Sequence, residues 1–447
     1  MADYAGLRSG ADGGAPLFPG IVRVALAGEP PALNWAGMKS SLDPEDNPGL
    51  FSGPLRDHVG TYTALLAAQG YKRPTLYPDT LLLADLDEWM RRSGWCAEAL
   101  DEAVLERFLI HHMRTRSARR RAKRASLLRL LAMLRKIGVA AVLKPAALSP
   151  VEQKLWDYTQ YLGNERGCVP TTIAGYRLPV RRLLHRIYGD GPVNLRSLSA
   201  PAVLNFIRHH VQRHGRLSAP YLTNALRSYF RFLRHRGEIA IDLGASVPSV
   251  AGWSLAGLPR HLPRGTVRRV LAGQERMSPA GRRDYAILLL LARLGLRSCE
   301  VAALRLEDID WEGSCINIRS RKGGRTIALP LPGDVGRALA KYLKAGRPAC
   351  ACREVFVSNR APLAGISRIS VGHVARRAML RSGIKGVSMG SHTFRHTLAS
   401  ELLRRGASLD EIGRILRHKD PSTTAIYAKV DMDALRPLAM RWPGGVA

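Results

Sequence analysis

The feature that most restricts the fold of this chain is an internal repeat. "ERFLIHHMR" at 106–114 matches "LNFIRHHVQ" at 204–212, with Phe108 over Phe206 and both histidine pairs aligned, an offset of 98 residues. "LLAMLRKIGV" at 130–139 matches "YFRFLRHRGE" at 229–238, an offset of 99 residues. Upstream, "GYKRPTLYPDTLLLADLDEW" corresponds to "GCVPTTIAGYRLPVRRLLHR". A near-constant offset over three blocks means a duplicated unit, and each copy must bury equivalent positions. Both copies, 55–140 and 152–240, read as helical. The organisation expected is a loose N-terminal arm at 1–50, helical domains at 51–145 and 146–245, and a further domain at 258–447. "DLGASVPSVAGWSLAGLPRHLP" at 242–263 is rich in glycine and proline and reads as a linker.

Charge points to the partner. Lysine and arginine total 68 against 36 acids, a formal net charge of +32 in 447 residues. Self-repulsion of that size suits a polyanion, with nucleic acid first and an anionic membrane surface second. The charge is also clustered. No Asp or Glu occurs from Arg107 to Val151, nor from Gly191 to Gly237. A solvated face mixes signs, so these runs are expected to bind phosphate, with Arg119, Arg120, Arg121 and Arg124 as the candidates in "RTRSARRRAKRASLLRLL". No apolar stretch is long enough to span a membrane. The first residues lack the basic start and apolar core of a secretory signal. Cys96, Cys168, Cys299, Cys315, Cys350 and Cys352 form no disulfide framework, and "CAC" at 350–352 has no second pair at zinc spacing. No metal site is expected. The histidine pairs read as helix-face residues.

The last third changes character. "RRDYAILLLLARLGLRSCEVAALRLEDIDW" reads as a buried helix, a break at Gly295 and a second helix. "SCINIRS" and "RTIALPL" alternate apolar residues and are joined by "RKGG", the pattern of a β-hairpin. Helices follow, so the fold class expected is mainly α with a small β-hairpin or sheet in this domain (α+β). "LRHKDPSTTAIYAKV" at 416–430 puts His418 nine residues before Tyr427. On one unbroken helix the two would point to opposite sides. Pro421 disfavours that helix, and Ser422 or Thr423 can cap a new one. Helix, sharp turn, helix lets both side chains face one pocket; a surface turn followed by a core tyrosine is the plainer alternative.

Other candidates are weak singly. In "GSHTFRHTLASELL", Ser391 is a candidate cap, and His392 and Arg395 share a helix face beside the apolar stripe of Phe394, Leu398 and Leu402. Arg297 follows the Gly295 break near a helix start, and Lys322 stands at the hairpin tip. Taken in order, Arg297 with Glu300 ("GLRSCEVAAL"), Lys322, His392 with Arg395 ("HTFRH"), His418 ("LRH") and Tyr427 resemble the tyrosine recombinase, or phage integrase, family. The resemblance covers roughly 258–430, and 150–245 looks like that family's helical core-binding, SAM-like domain. Arg417 departs from it, since the family commonly has glycine before the histidine.

The resemblance implies a chemistry. Tyr427 attacks a scissile phosphate to form a 3′-phosphotyrosine and release a 5′-hydroxyl. A tyrosine hydroxyl with a pKa near 10 is a poor nucleophile and needs a preorganised cationic site. Arg297 and Arg395 would each donate two hydrogen bonds to phosphate oxygens. Lys322 would protonate the leaving oxygen, His392 and His418 would contact the phosphate and move protons, and Glu300 would orient its neighbours from behind. No cofactor, metal or ATP is implied. The partner is double-stranded DNA, with a homo-tetramer acting on two sites, no membrane, and a bacterial cytoplasmic location at the nucleoid. A site-specific recombinase of a mobile element is the leading reading. A type IB topoisomerase and a non-catalytic DNA-binding accessory protein are the alternatives. In "MDALRPLAMRW", Leu435, Leu438, Ala439 and Trp442 form an apolar stripe expected to dock on a neighbouring subunit.

Overall fold

The computed structural model describes residues 50–115, 120–141, 148–215, 218–249, 261–319, 326–384, 389–418 and 420–430. The chain divides into two compact units, one of 1–141 with 257–447 and the other of 142–256. The expected arm at 1–50, apart from Leu50, and the C-terminal stripe at 435–442 lie outside the described residues.

The order of helices follows the sequence repeat, apart from a segment at Tyr161–Glu165 found in the second copy alone among the described residues. The first unit opens with α1 (Arg56–Ala68), α2 (Arg73–Arg92), a 3-10 turn at Ala97–Ala99, α3 (Glu102–Thr115) and α4 (Arg120–Lys136). The second unit runs α5 (Pro150–Gln160), α6 (Pro170–Tyr188), a 3-10 turn at Leu195–Ser197, α7 (Ala200–His214) and α8 (Ala219–His235). Phe108, Leu131 and Leu134 are buried in one copy, and Phe206, Phe230 and Leu233 in the other. The histidine pairs lie on α3 and α7: His112 is buried with its ring 5.2 Å from Phe108, and His210 lies 6.3 Å from Phe206.

One sequence reading needs correction, and another gains partners from elsewhere in the fold. The 242–263 stretch is not linker throughout. A short helix, α9 (Leu243–Ser246), is capped by Asp242, whose Oδ1 accepts from the Ala245 amide at 3.2 Å. Leu243 and Val247 enter the core of the second unit. A glycine-rich composition hid two apolar anchors. Nor is the acid-free run 107–151 left wholly unpaired. Arg124 meets Glu106 at 2.5 Å, Arg129 meets Asp79 at 3.0 Å and Arg135 meets Glu102 at 2.7 Å. The carboxylates come from outside the run, which no scan along one segment detects.

The rest of the first unit holds α10 (Thr266–Ala272), α11 (Pro279–Arg293), α12 (Ser298–Ala303), β1 (Ile309–Asp310), β2 (Cys315–Arg319), β3 (Thr326–Pro330), α13 (Gly333–Ala345) and α14 (Arg368–Arg381). It ends with α15 (Ser391–Arg404), α16 (Leu409–Leu416), α17 (Ser422–Ala425) and a 3-10 turn at Ile426–Val430. The hairpin is the centre and edge of a three-stranded antiparallel sheet, β1-β2-β3, with Ile316 opposite Leu329 and Ile318 opposite Ile327. Ile316 and Ile318 point into the core, while Ile327 is 40% exposed. The strand β1 is too short for an alternation pattern to reveal.

The buried axis is α11. Ser278 caps it by accepting from the Gly281 amide at 3.0 Å, and Pro279 supplies the fixed φ of the first turn. Ala286 to Leu291 are all buried, packed by α13, α14 and α15. The helix stops because Gly295 takes φ +57°, where a Cβ would also come within 2.9 Å of Leu416 and 3.0 Å of Leu398. The two leucine tips can shift, so backbone strain dominates. Gly295→Ala should cost about 1–2 kcal/mol. A lower denaturant midpoint with an unchanged slope would register it; an unshifted midpoint would mean the turn relaxes.

Candidate active site

Four short segments converge around the C-terminal end of α11. The first is Arg297, which stands at the N-cap of α12 with its side chain 35% exposed. Its backbone amide donates to Glu300 Oε2 at 2.9 Å and its Nη1 donates to Glu300 Oε1 at 2.7 Å. Nη2 reaches the carbonyl of Arg417 at 3.4 Å. Burial alone would raise the Glu300 carboxyl. The Arg417 guanidinium, then the Arg297 amide and guanidinium, more than offset this and hold the carboxyl below its ordinary value.

The second segment is the start of α15. Gly390, not Ser391, occupies the cap position, and no side chain caps the helix. Ser391 is buried and its hydroxyl pairs with that of Ser298, so it ties α15 to α12 instead. His392 and Arg395 do share a face, but tertiary packing separates their environments: His392 is exposed and Arg395 is only 4% exposed. Arg395 Nη1 donates to the Gly295 carbonyl at 2.6 Å, and Nη2 donates to the Leu416 carbonyl. Burial, together with the Arg297 and Arg417 guanidiniums, brings its pKa down to about 10, so it stays charged at neutral pH.

The third and fourth segments are the α16–α17 turn and the 3-10 turn after it. Arg417 ends α16 at φ 56°, ψ 48°. Neither Ser422 nor Thr423 caps α17. Pro421 holds the cap position, and Asp420 Oδ1 accepts from the Ser422 amide at 2.9 Å. An Asx turn fills the role because the aspartate precedes the proline and reaches forward two residues. The break brings the two rings together, while Tyr427 lies in the core, as the plainer alternative had it. The His418 and Tyr427 rings lie parallel, 6° between planes and 6.4 Å between centroids. His418 Nδ1 is fixed by Thr424 Oγ1 at 2.7 Å. Partial burial, followed by the Arg395, Arg297 and Arg417 guanidiniums, lowers His418 to about 4, so its ring is neutral at pH 7. Tyr427 is 1% exposed in a small cluster with Ala399, Leu402, Ile412 and Leu416. Its burial raises the phenol pKa, and Arg395 and Arg297 pull against that.

Arg297, Glu300, His392, Arg395, His418 and Tyr427 therefore occupy one electrostatic neighbourhood. Lys322 lies outside the described residues, between β2 and β3; Arg119 also lies outside them. Sequence reasoning passed over His396, whose Nδ1 is 2.9 Å from Tyr427 Oη. The available signal was its position one turn after His392 on the same helix.

Residues 261–434 match the phage integrase family, and residues 155–237 match the phage integrase N-terminal SAM-like domain. A protein of Sinorhizobium fredii whose name reads integrase/recombinase y4rA is 41% identical over 395 residues, covering 88% of this chain and 95% of that one. The chain belongs to the phage integrase family of tyrosine recombinases. A tyrosine recombinase XerA of Thermococcus onnurineus is 30% identical over 65% of this chain and 95% of its own. The crystal structure of the XerH site-specific recombinase bound to a palindromic difH substrate shares the fold, with a TM-score of 0.51 at 16% identity, covering 81% of this chain and 96% of that one.

Arg417 stands where the family resemblance leads one to expect glycine. Its left-handed backbone costs about 1–2 kcal/mol in an L-residue. Its side chain is 5% exposed and its Nη2 lies 3.0 Å from Glu300 Oε2. Glu300 keeps Arg297 as a partner, so losing Arg417 costs less than the about 3–5 kcal/mol of a buried charge left uncompensated. Arg417→Gly should therefore lower stability by no more than about 3 kcal/mol, despite placing the residue best suited to that backbone. A thermal melt that rises would show that strain, not the ion pair, dominates.

Proposed function

We propose that the protein is a site-specific DNA recombinase that cuts and rejoins double-stranded DNA through a 3′-phosphotyrosine at Tyr427. One observation carries the reading: Tyr427 is gathered with two arginines and with His392 and His418 from four separate segments. Two guanidiniums supply the donors and charge that a five-coordinate phosphate needs. The Tyr427 oxygen bonds to phosphorus as the bond to the 5′ oxygen breaks, and Lys322 gives that oxygen its proton. His392 and His418 contact the phosphate. The phosphodiester energy stays in the protein–DNA bond, so rejoining needs neither ATP nor metal, because side-chain cations supply the charge. Four protomers on two duplexes, with paired cleavages, complete the exchange, and a mobile element is the setting in which the target sites are sought.

The test uses nicked duplexes from the DNA flanking the gene, with chelator present and ATP omitted. The expected product is a covalent adduct at Tyr427 and a free 5′-hydroxyl, with exchange between two such sites. Relaxation of arbitrary supercoiled DNA without exchange would make it a topoisomerase. Binding with no adduct under any condition would leave an accessory protein.

The two helical repeats are proposed to hold the duplex. In the unit of 142–256, Arg182, Arg186, Arg213, His209, His210 and His214 line a cleft of about 290 Å³. In the first repeat, the replacement of Arg119, Arg120, Arg121 and Arg124 should reduce the salt slope of binding by roughly 0.9 for each phosphate that is no longer neutralised. Arg124 also meets Glu106, but in an exposed pair that a phosphate can replace; Arg129 and Arg135 are left out because their own side chains are more buried in their carboxylate pairs. An unchanged slope and footprint would assign the first repeat to protein contacts.

A further inference from the structure

The Tyr427 hydroxyl is met not by an arginine but by an imidazole: His396 Nδ1 lies 2.9 Å from Oη, with the ring centroids 5.7 Å apart and the planes at 56°. We propose that His396 is a catalytic residue, the base that accepts the proton of the Tyr427 hydroxyl as the phenol attacks phosphorus. The inference rests on Tyr427 being the nucleophile.

Geometry, chemistry and charge agree. A phenol of raised pKa is almost wholly protonated at pH 7, so attack requires that its proton go to an acceptor already in place. Nδ1 is within the 2.6–3.2 Å reach of a general base. The ring is half-buried on α15, a rigid helix, and so is positioned without a loop closing. Several cationic or titratable groups face it. These are His392 and Arg395 on its own helix, His261 ahead of α10, and His418 on the α16–α17 turn. Burial first, then His392, Arg395 and His261, keep the His396 imidazole below its ordinary pKa, hence neutral and able to accept. His418 is less suited, since its Nδ1 is engaged by Thr424.

The balance closes. The Oη lone pair forms the bond to phosphorus, and the Oη–H proton passes to His396 Nδ1, leaving an imidazolium. The bond from phosphorus to the 5′ oxygen breaks, and that oxygen takes its proton from the general acid. In rejoining, the 5′-hydroxyl attacks the phosphotyrosine and gives its proton back to the now deprotonated general acid, the tyrosine oxygen leaves, and the imidazolium returns its proton to that oxygen.

The experiment compares wild type, His396→Asn and His396→Ala in single-turnover cleavage of nicked duplex from pH 5 to pH 9, with DNA affinity measured alongside. Asparagine places an acceptor oxygen near the Nδ1 position but cannot take a proton at these pH values. Its cleavage rate should fall about 10²–10⁴-fold at unchanged DNA affinity and keep rising with pH, where wild type levels off. Added imidazole should partly restore His396→Ala. A wild-type rate in His396→Asn overturns the proposal. So does a slow variant with the wild-type pH profile and no imidazole rescue, which would make His396 a positioning residue. If His396→Ala loses DNA binding, His396→Asn and its pH profile decide. Wild type giving no adduct at Tyr427 would instead sink the nucleophile, and this inference with it.

Discussion

Tyr427→Phe should bind DNA as wild type does and form no covalent adduct. The substitution removes one oxygen and keeps the ring that fills the cluster of Ala399, Leu402, Ile412 and Leu416. The parallel packing on His418 survives, since it needs only the ring. What disappears is one hydrogen bond to a half-buried histidine, a net change of about 1 kcal/mol in stability. Duplex affinity comes from many phosphate contacts, so one phenol hydroxyl changes it little. Cleavage, by contrast, has no nucleophile left. The measurement is adduct formation on nicked duplex beside an affinity titration. An adduct of the Phe variant through another residue would sink the assignment.

Replacing either Arg297 or Arg395 with lysine should slow cleavage by on the order of 10²-fold or more, because the charge remains but the paired donors do not. The two variants should differ in stability. Arg297 is 35% exposed and its partner Glu300 keeps a cation nearby, so the lysine variant should fold almost as well. Arg395 is 4% exposed and supplies the Gly295 and Leu416 carbonyls. Lysine cannot fork to both, and each carbonyl left without a donor costs about 1–3 kcal/mol. Arg395→Lys should therefore be slow and less stable, and Arg297→Lys slow only. Single-turnover rates and thermal melts on both variants decide it. Wild-type cleavage in both would remove the arginines from the chemistry.

Arg395 has a structural role that its place in the sequence does not suggest. The family resemblance has it present its guanidinium to phosphate, while two of its nitrogens hold backbone carbonyls from the Gly295 turn and the end of α16. The same side chain thus fixes the geometry of the site and lends it charge. Arg297 is similar, held by Glu300 through both main chain and side chain. Such prior fixing is what preorganisation requires, because donors already in place need not reorder during reaction.

The sequence by itself determined whatever is local or periodic. The duplicated helices followed from blocks at constant offset, the α11–Gly295–α12 break from an apolar run ended by glycine, and β2 and β3 from alternation around "RKGG". The turn that brings His418 to face Tyr427 followed from Pro421. Order along the chain, through the resemblance to the family, named the candidate residues other than His396. Tertiary structure alone decided the partners. It put Gly390 at the cap of α15 because the Ser391 hydroxyl is drawn to Ser298, gave the α17 turn to Asp420, and set Glu106 and Asp79 against arginines of the acid-free run. It joined His396 to a tyrosine 31 residues away. The reason is that helical spacing states which side of a helix a residue occupies, but hydrogen bonds and ion pairs depend on which other segment packs there, and that choice belongs to the whole core.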